Sequence, residues 1–442
     1  MNEIASGIPS GIGGRGAGFV QLIFVDINGV PKGMEIPSSR LAEAVEEGIS
    51  FDGSSIPGFQ GIEDSDLVFR ADPSTYAEVP WEGVGRIYGY IYRDGKPYHA
   101  DPRGVLKRTV DELREEGFTA YIGPEPEFYL LKKNGSWELQ LPDSGGYFDI
   151  VTLDRARAVK REIALYMPAL GLTPEVLHHE VGKAQHEIDF RYDEALRTAD
   201  NIVSFKYVVK AVAEMHGLHA TFMPKPIYGF PGNGMHLHIS LWEGEKNAFM
   251  GENGLSDIAL YFLGGILEHA KALSAVTNPT VNSYKRLVPG YEAPVYISWG
   301  YRNRSALIRV PAFWGKGARI EYRSPDPSAN PYLAFSAILK AGLDGIRREI
   351  EPSSYVEENV YEMSEKRREE LGIESLPETL GQALEELKRD RVVRDALGKA
   401  YRNFIRYKER EWAEYIGYLE SKGIPPETKE VTEWELERYF YV

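Results

Sequence analysis

Apolar and polar positions follow two different periods along this chain, and the change between them divides it. Residues 19–100 are short extended runs separated by turns. FVQLIFVDI (19–27), Asn28-Gly29 and KGMEIP (32–37) together form the pattern of a β-hairpin. RIYGYIYRDGKPY (86–98) repeats it with Asp94-Gly95 at the turn. At Asp101-Pro102 the period lengthens. An aspartate cap and a proline at the first helical position start VLKRTVDELREEG as a helix. Helical periodicity is clearest over 153–167, 199–216, 256–276, 330–350 and 378–420, with Asn330-Pro331 as a second cap-plus-proline start. Strand-like runs lie between these segments. The pattern predicts an α+β protein with a mainly β domain over 19–103 and a larger mixed domain over 104–442. Residues 1–18 hold six glycines and no apolar period, and read as a flexible lead-in. GIGGRG (11–16) inside it has the glycine spacing of a dinucleotide turn, but a strand follows it where one should precede it. It is set aside.

Composition narrows the function. The 442 residues carry 51 basic and 66 acidic side chains, a net charge of −15, which argues against a protein that coats nucleic acid or anionic lipid. There is no cysteine, which excludes a disulfide framework, a thiol nucleophile and thiolate-bound metal. No run of about 18 apolar residues offers a spanning helix, and no secretory signal pattern opens the chain. A cytoplasmic protein without nucleic-acid or membrane partners is the expectation.

The chemistry gathers in four strand-like segments. Five of the nine histidines fall in two of them: His178, His179 and His186, then His236 and His238. In GPEPEFYLL (123–131), alternation puts Glu125, Glu127 and Tyr129 on one face. In GMHLHISLW (234–242), His236, His238 and Ser240 share a face; in ARIEYRSP (318–325), Arg319, Glu321 and Arg323 do. HHEVGKAQHEIDFRY (178–192) carries Glu180 and Glu187, which on an unbroken strand would point oppositely, so Gly182 is expected to mark a bend or bulge. Carboxylates with imidazole and no thiolate suit hard cations such as Mg²⁺ or Mn²⁺. Arg286, Arg302, Arg304, Arg309, Lys316, Arg319 and Arg323 place seven cations within 38 positions of mostly apolar and aromatic sequence. Guanidinium forks bind carboxylate and phosphate bidentately. Cations beside a carboxylate cluster in an acidic protein point to phosphoryl chemistry on a small acid.

FDGSSIPGF (51–59), GPEPEF (123–128), HHEV (178–181), ATFMPKP (220–226), GNGMHLHIS (232–240), NSYKRLVPGYEAP (282–294), NRSALIRVP (303–311) and ARIEYRSPDPSANPY (318–332) resemble the class I glutamine synthetases, in order, from about residue 19 to the end. The resemblance implies an N-terminal β-grasp domain and a C-terminal catalytic domain built on a curved antiparallel sheet with helices. It implies a dodecamer of two stacked hexameric rings with active sites between neighbouring subunits. The implied reaction joins ammonium to glutamate with ATP, through γ-glutamyl phosphate.

Carried over by position, the resemblance assigns one metal to Glu127, Glu180 and Glu187 and a second to Glu125, His236 and Glu321. It assigns the glutamate site to Arg286, Arg323 and Gly232, and phosphate contacts to Arg304 and Arg309. Glu175, Tyr192, His238, Ser240, Lys316 and Arg319 match nucleotide positions, with Tyr192 near the adenine. Asp52 matches the ammonium-site acid, with Ser55 and Tyr147 nearby, and Glu292 the flap acid that shields the acyl phosphate. Three features depart from the family. Pro231 replaces an asparagine beside the substrate. Tyr361 occupies a position nucleotidylated in some members but lacks the following sequence, so that modification is not expected. The third is the glycine-rich start. A γ-glutamyl ligase acting on an amine, and an inactive scaffold relative, are the alternatives.

Overall fold

The computed structural model describes residues 17–59, 61–62, 65–134, 138–252, 254–312 and 315–442. Nearly all of the glycine-rich lead-in therefore lies outside the described residues. Two sheets organise the rest. The first contains β1 (Phe19–Val25), β2 (Pro31–Pro37), β3 (Ile49–Asp52), β4 (Asp66–Ala71), β5 (Ala77–Val79), β6 (Val84–Arg93) and β7 (Lys96–Pro97). Its path runs β2-β1-β6-β4-β3. The β1–β2 hairpin forms as the alternation predicts, with Phe19 opposite Pro37 and Val25 opposite Pro31. β1 then pairs in parallel with β6.

The second sheet contains β8 (Thr119–Asn134), β9 (Glu138–Gln140), β10 (Pro174–His179), β11 (Gln185–Phe190), β12 (Asp193–Glu194), β13 (His219–Thr221), β14 (Met235–Glu243), β15 (Lys246–Asn247), β16 (Trp299–Tyr301), β17 (Ile308–Val310) and β18 (Ile320–Tyr322). Its path is β10-β11-β8-β14-β18-β17-β16. The expected antiparallel sheet is mixed, because β16 and β17 run parallel. The long strand β8 is its spine, since β9, β11, β12, β13 and β14 all pair with it.

Helices Ala195–Met215 and Pro331–Arg348 each bury thirteen residues, more than any other described helix. Both predicted caps form. Asp101 accepts from Arg103 N, and Asn330 accepts from Tyr332 N and Leu333 N. Two predicted helices are interrupted. Residues 256–276 divide at His269, and 378–420 divides into Leu380–Arg389, Arg391–Leu397 and Ala400–Lys422. In the latter, Asp390 restarts the helix by accepting from Val393 N at 3.0 Å, and Gly398 turns the chain at φ +55°. Among the described residues, no helix is long and apolar enough to cross a membrane.

A buried cation joins the two sheets' territories. The Arg103 guanidinium donates to both oxygens of Asp200 at 3.0 and 2.9 Å and to Asp72 at 2.9 Å, and lies over the Tyr90 ring at 4.3 Å. Tyr332 donates to the same Asp200 at 2.6 Å.

Candidate active site

The carboxylate faces predicted from alternation form one wall. β8 and β14 pair so that His236 lies opposite Glu125 and His238 opposite Gly123. β18 pairs with β14 on the other side, with His238 opposite Glu321. The intervening residues Pro124, Pro126, Leu237, Ile239 and Ile320 turn into the core. Apolar burial on one face thus holds the polar face in position.

Glu180 and Glu187 converge by a different route from the expected bend. Gly182 sits in a complete turn between β10 and β11, where Gln185 N donates to Gly182 O at 2.9 Å. The hairpin pairs His178 with Glu187 and His179 with His186. A turn reverses the chain, so residues seven apart become neighbours across two strands.

Two groups of donor atoms result, each with its members within 4.8 Å of one another: Glu125, His236 and Glu321; then His178, Glu180 and Glu187. The first is the expected trio. The second holds the expected Glu180 and Glu187 together with His178. Strand alternation from Glu180 could have indicated His178, since the two share a face. Glu127 lies beside this group, held by Gly234 N at 2.8 Å and by Gln185 Nε2 at 3.0 Å. Burial, then the Glu180 charge, pushes the Glu127 carboxyl up to about 8. Burial, then the charges of Asp189 and Glu127, pushes Glu187 well above the carboxylate range. Buried acids that disfavour each other's charge fit a site whose working state includes cations. Carboxylate oxygens with one imidazole per group suit hard divalent ions.

The Glu125 group is tuned oppositely. Against its burial, the His238 and His236 imidazoles hold Glu125 well below the usual range. Arg319 Nε donates to His238 Nδ1 at 3.0 Å, so His238 carries its proton on Nε2 and donates it to Glu125 at 2.7 Å. Burial, then Arg323, lowers His236 to about 4, leaving it neutral and able to ligate. Glu321 accepts from Arg323 at 2.7 Å and also from Arg309.

Two cavities flank this wall. One of about 330 Å³ is lined by Glu175, Tyr192, His238, Ser240, Lys316 and Arg319 among others, so it gathers all six expected nucleotide-site residues that lie outside the phosphate arginines. Half-exposed Tyr192 meets Tyr121 edge-on at 5.9 Å. Asp189, missed in the sequence, lines the same cavity and is raised to about 6 by burial.

The other cavity, of about 300 Å³, is lined by Glu127, Glu180, Gly232, Arg286, Glu292 and Arg323 among others. Arg286 is 3% exposed and donates to the carbonyls of Ser324 at 2.6 Å and Arg323 at 3.2 Å. Gly232 is required here: a Cβ would stand 2.5 Å from Pro224 O and 2.8 Å from Arg286 Cγ. Glu292 is exposed at φ +59°, and its carbonyl accepts from Arg323 at 3.5 Å. Pro231 contributes its backbone carbonyl to Tyr129 at 2.7 Å, a contact independent of its side chain. Tyr361 buries its hydroxyl within the electrostatic reach of Arg323, Arg286 and Glu292, and burial raises it to about 12.

Exposed Arg304 is hydrogen-bonded to Tyr147, whose ring meets His178 edge-on at 5.8 Å. Asp52 and Ser55 lie apart from these groups, at the end of β3 and just beyond. Exposed Asp52 accepts from Ser54 N at 2.8 Å, and Ser55 lines a separate cavity with Asn403 and Arg406.

Comparison with known proteins covers the whole arrangement. Residues 16–94 match the glutamine synthetase β-grasp domain, and 99–439 match the glutamine synthetase catalytic domain. A glutamine synthetase of Pyrococcus horikoshii is 77% identical over 97% of each chain, and one of Pyrococcus abyssi is 74% identical over 100% of each. Among solved structures, "GmaS/ADP complex-Conformation 1" is 35% identical with a TM-score of 0.85 over 96% of each chain.

Proposed function

The chain belongs to the glutamine synthetase family and catalyses ATP-dependent formation of glutamine from glutamate and ammonium with divalent metal, and from that premise we propose how its residues divide the work. The amine-ligase and inactive-scaffold alternatives are not favoured beside 77% identity to a glutamine synthetase over nearly the full chain.

The observation that carries the assignment is the carboxylate wall between two cavities, with Glu125 and His238 on the side of Lys316 and Arg319, and Glu127 and His236 on the side of Arg286. ATP occupies the first cavity, with Tyr192 against the adenine and Glu175, Ser240, Lys316 and Arg319 about the rest of the nucleotide. Glutamate occupies the second, its α-carboxylate on Arg286, with Arg323 and the Gly232 backbone beside it. Glu125, His236 and Glu321 would hold one Mg²⁺ or Mn²⁺; Glu127, Glu180 and Glu187, with His178 adjacent, would hold a second. Cations bound there neutralise the polyphosphate and leave its γ-phosphorus open to attack.

A carboxylate is a poor electrophile, so the γ-carboxylate of glutamate attacks the γ-phosphate to give an acyl phosphate and ADP. Arg304 and Arg309 stabilise charge on the transferring group. Ammonium then loses a proton to Asp52, beside Ser55 and Tyr147, and the ammonia attacks the acyl carbon as phosphate leaves. Glu292 covers the acyl phosphate against water and accepts a proton late. The separation of Asp52 from the cluster within one chain supports a homo-oligomer, a dodecamer of two hexameric rings, in which the N-terminal sheet (domain 19–103) of one copy closes the catalytic domain (104–442) of the next. A cytoplasmic location accords with the absence of cysteine and of a spanning helix among the described residues.

The test is phosphate release with ATP, Mg²⁺ and glutamate, in ammonium or a panel of amines, alongside the oligomeric mass. One glutamine per phosphate with ammonium is expected. An Asp52→Asn chain that regains activity when mixed with a Glu321→Gln chain would support shared sites; recovery absent from mixed oligomers would overturn them.

A further inference from the structure

We propose that Asp143, His179 and His186 form a second kind of metal site, for a single imidazole-preferring divalent cation of the zinc class, on the opposite face of the hairpin that carries Glu180 and Glu187. The register places it there. His178 pairs with Glu187 and His179 with His186, so the second pair faces away from the first.

One donor atom from each of the three residues lies within 4.8 Å of the other two, and all three side chains are completely buried. Their orientations are those of ligands. His179 Nδ1 lies 2.6 Å from the Glu180 carbonyl, which can only accept, so Nδ1 carries a proton. Its Nε2 points toward Asp143 Oδ1 at 3.2 Å. A backbone carbonyl fixing one ring nitrogen while the other faces a donor cluster is how metal-binding histidines are commonly oriented. Asp143 is held in turn, with Oδ1 accepting from Ala184 N at 2.8 Å.

The remaining atoms have no hydrogen-bond partner. Asp143 Oδ2 and both ring nitrogens of His186 are buried and unsatisfied, and Asp143 Oδ2 to His186 Nε2 is 3.8 Å, beyond a hydrogen bond. Buried polar atoms without partners are rare, and here Asp143 Oδ2 and His186 Nε2 face each other across that gap. Lys160, the buried cation nearby, is already paired with Asp154 at 2.8 Å. Two imidazoles and one carboxylate favour zinc over magnesium, unlike the oxygen-rich groups on the other face. The cation would clamp β10 to β11 through His179 and His186, and to the 143 loop, setting the spacing of Glu180 and Glu187. The role is structural: none of the three touches substrate.

The test uses the full-length protein, stripped with chelator and dialysed against zinc with excess Mg²⁺ and ATP, and counted by elemental mass spectrometry. One zinc per chain retained against Mg²⁺ is expected. It should be lost in His186→Phe, which can pack against Phe128, at least tenfold weaker in Asp143→Asn, and kept in Glu321→Gln. Cobalt(II) in place of zinc should give the intense visible bands of a four-coordinate site. No Mg²⁺-resistant zinc in the wild type, or retained zinc lost in Glu321→Gln but not in His186→Phe, would overturn the site and leave an ordinary aspartate–histidine hydrogen bond. If His186→Phe fails to fold, Asp143→Asn decides: unchanged zinc affinity there also overturns it.

Discussion

Gln185 ties the Glu127 carboxylate to the glutamate-side loop: its amide nitrogen lies 3.0 Å from Glu127 Oε2, 3.1 Å from Gly232 O and 3.2 Å from Asn233 Oδ1. Its carbonyl oxygen is fixed by Gly182 N at 3.0 Å, so a buried amide couples the β10–β11 turn to the acid beside the second donor group. Gln185→Ala should therefore weaken Mn²⁺ binding by about 10–100-fold, read by electron paramagnetic resonance titration. Gln185→Glu, which sets a second charge against Glu127, should do no better. Unchanged Mn²⁺ affinity in both would remove Gln185 from the site.

Glu292→Ala should uncouple the reaction. Without the flap carboxylate, water reaches the acyl phosphate, so phosphate release continues while glutamine falls behind. The ratio of phosphate to glutamine should rise above one, and a ratio unchanged from wild type would exclude a shielding role.

Gly232→Ala places a methyl 2.5 Å from a backbone oxygen, which cannot swing aside as a side chain can. The loop must shift against Arg286 at a cost of about 1–3 kcal/mol, so KM for glutamate should rise about tenfold or more. KM for ATP, bound in the other cavity, should change little. Equal changes in both would point to general disruption.

Arg103→Ala leaves Asp200 and Asp72 without their shared cation. Burial of Asp200 makes this costly, about 3–5 kcal/mol, seen as a lower unfolding midpoint. Asp200→Asn in the same chain should recover part of the loss. Additive losses would show that the pair is not coupled.

His269 bridges Asp390 at 2.6 Å and Asp344 at 3.1 Å. Burial alone would lower its pKa, but the hydrogen bonds to these two carboxylates prevail and raise it above the ordinary 6.5. The folded state thus binds the proton more tightly than the unfolded one. The stabilisation is full below 6.5 and is lost as pH rises through the folded value. At the acid end it fails as pH falls through the lowered value of Asp390. His269→Gln should cost about 1–3 kcal/mol near pH 6 and clearly less near pH 9, measured by denaturant unfolding. A difference independent of pH would show that the fold does not raise the affinity of His269 for its proton.

What the sequence by itself determined is what depends on local geometry. Side chains on a strand alternate whatever lies beside it, so Glu125 with Glu127, and His236 with His238, could be assigned to polar faces before any pairing was known. Asp101-Pro102 and Asn330-Pro331 begin helices because their capping atoms act within three residues. Family resemblance then added roles to positions already marked by chemistry, and alone brought in Asp52, Ser55, Tyr147, Glu175, Tyr192, Gly232 and Glu292. Tertiary structure decided the rest, because those relationships join residues far apart in the chain. Glu180 meets Glu187 through a full turn, and a turn and a bulge leave similar glycine signals. His178 joins Glu180 and Glu187, with Glu127 beside them, because β10 and β11 settle in one register. Asp143 meets His179 and His186 only once the 143 loop packs against that hairpin. A helix such as 256–276 looks continuous in periodicity, yet it divides at His269, whose two carboxylate partners come from residues 344 and 390. Local periodicity specifies which way a side chain faces; strand register and packing alone specify what it faces.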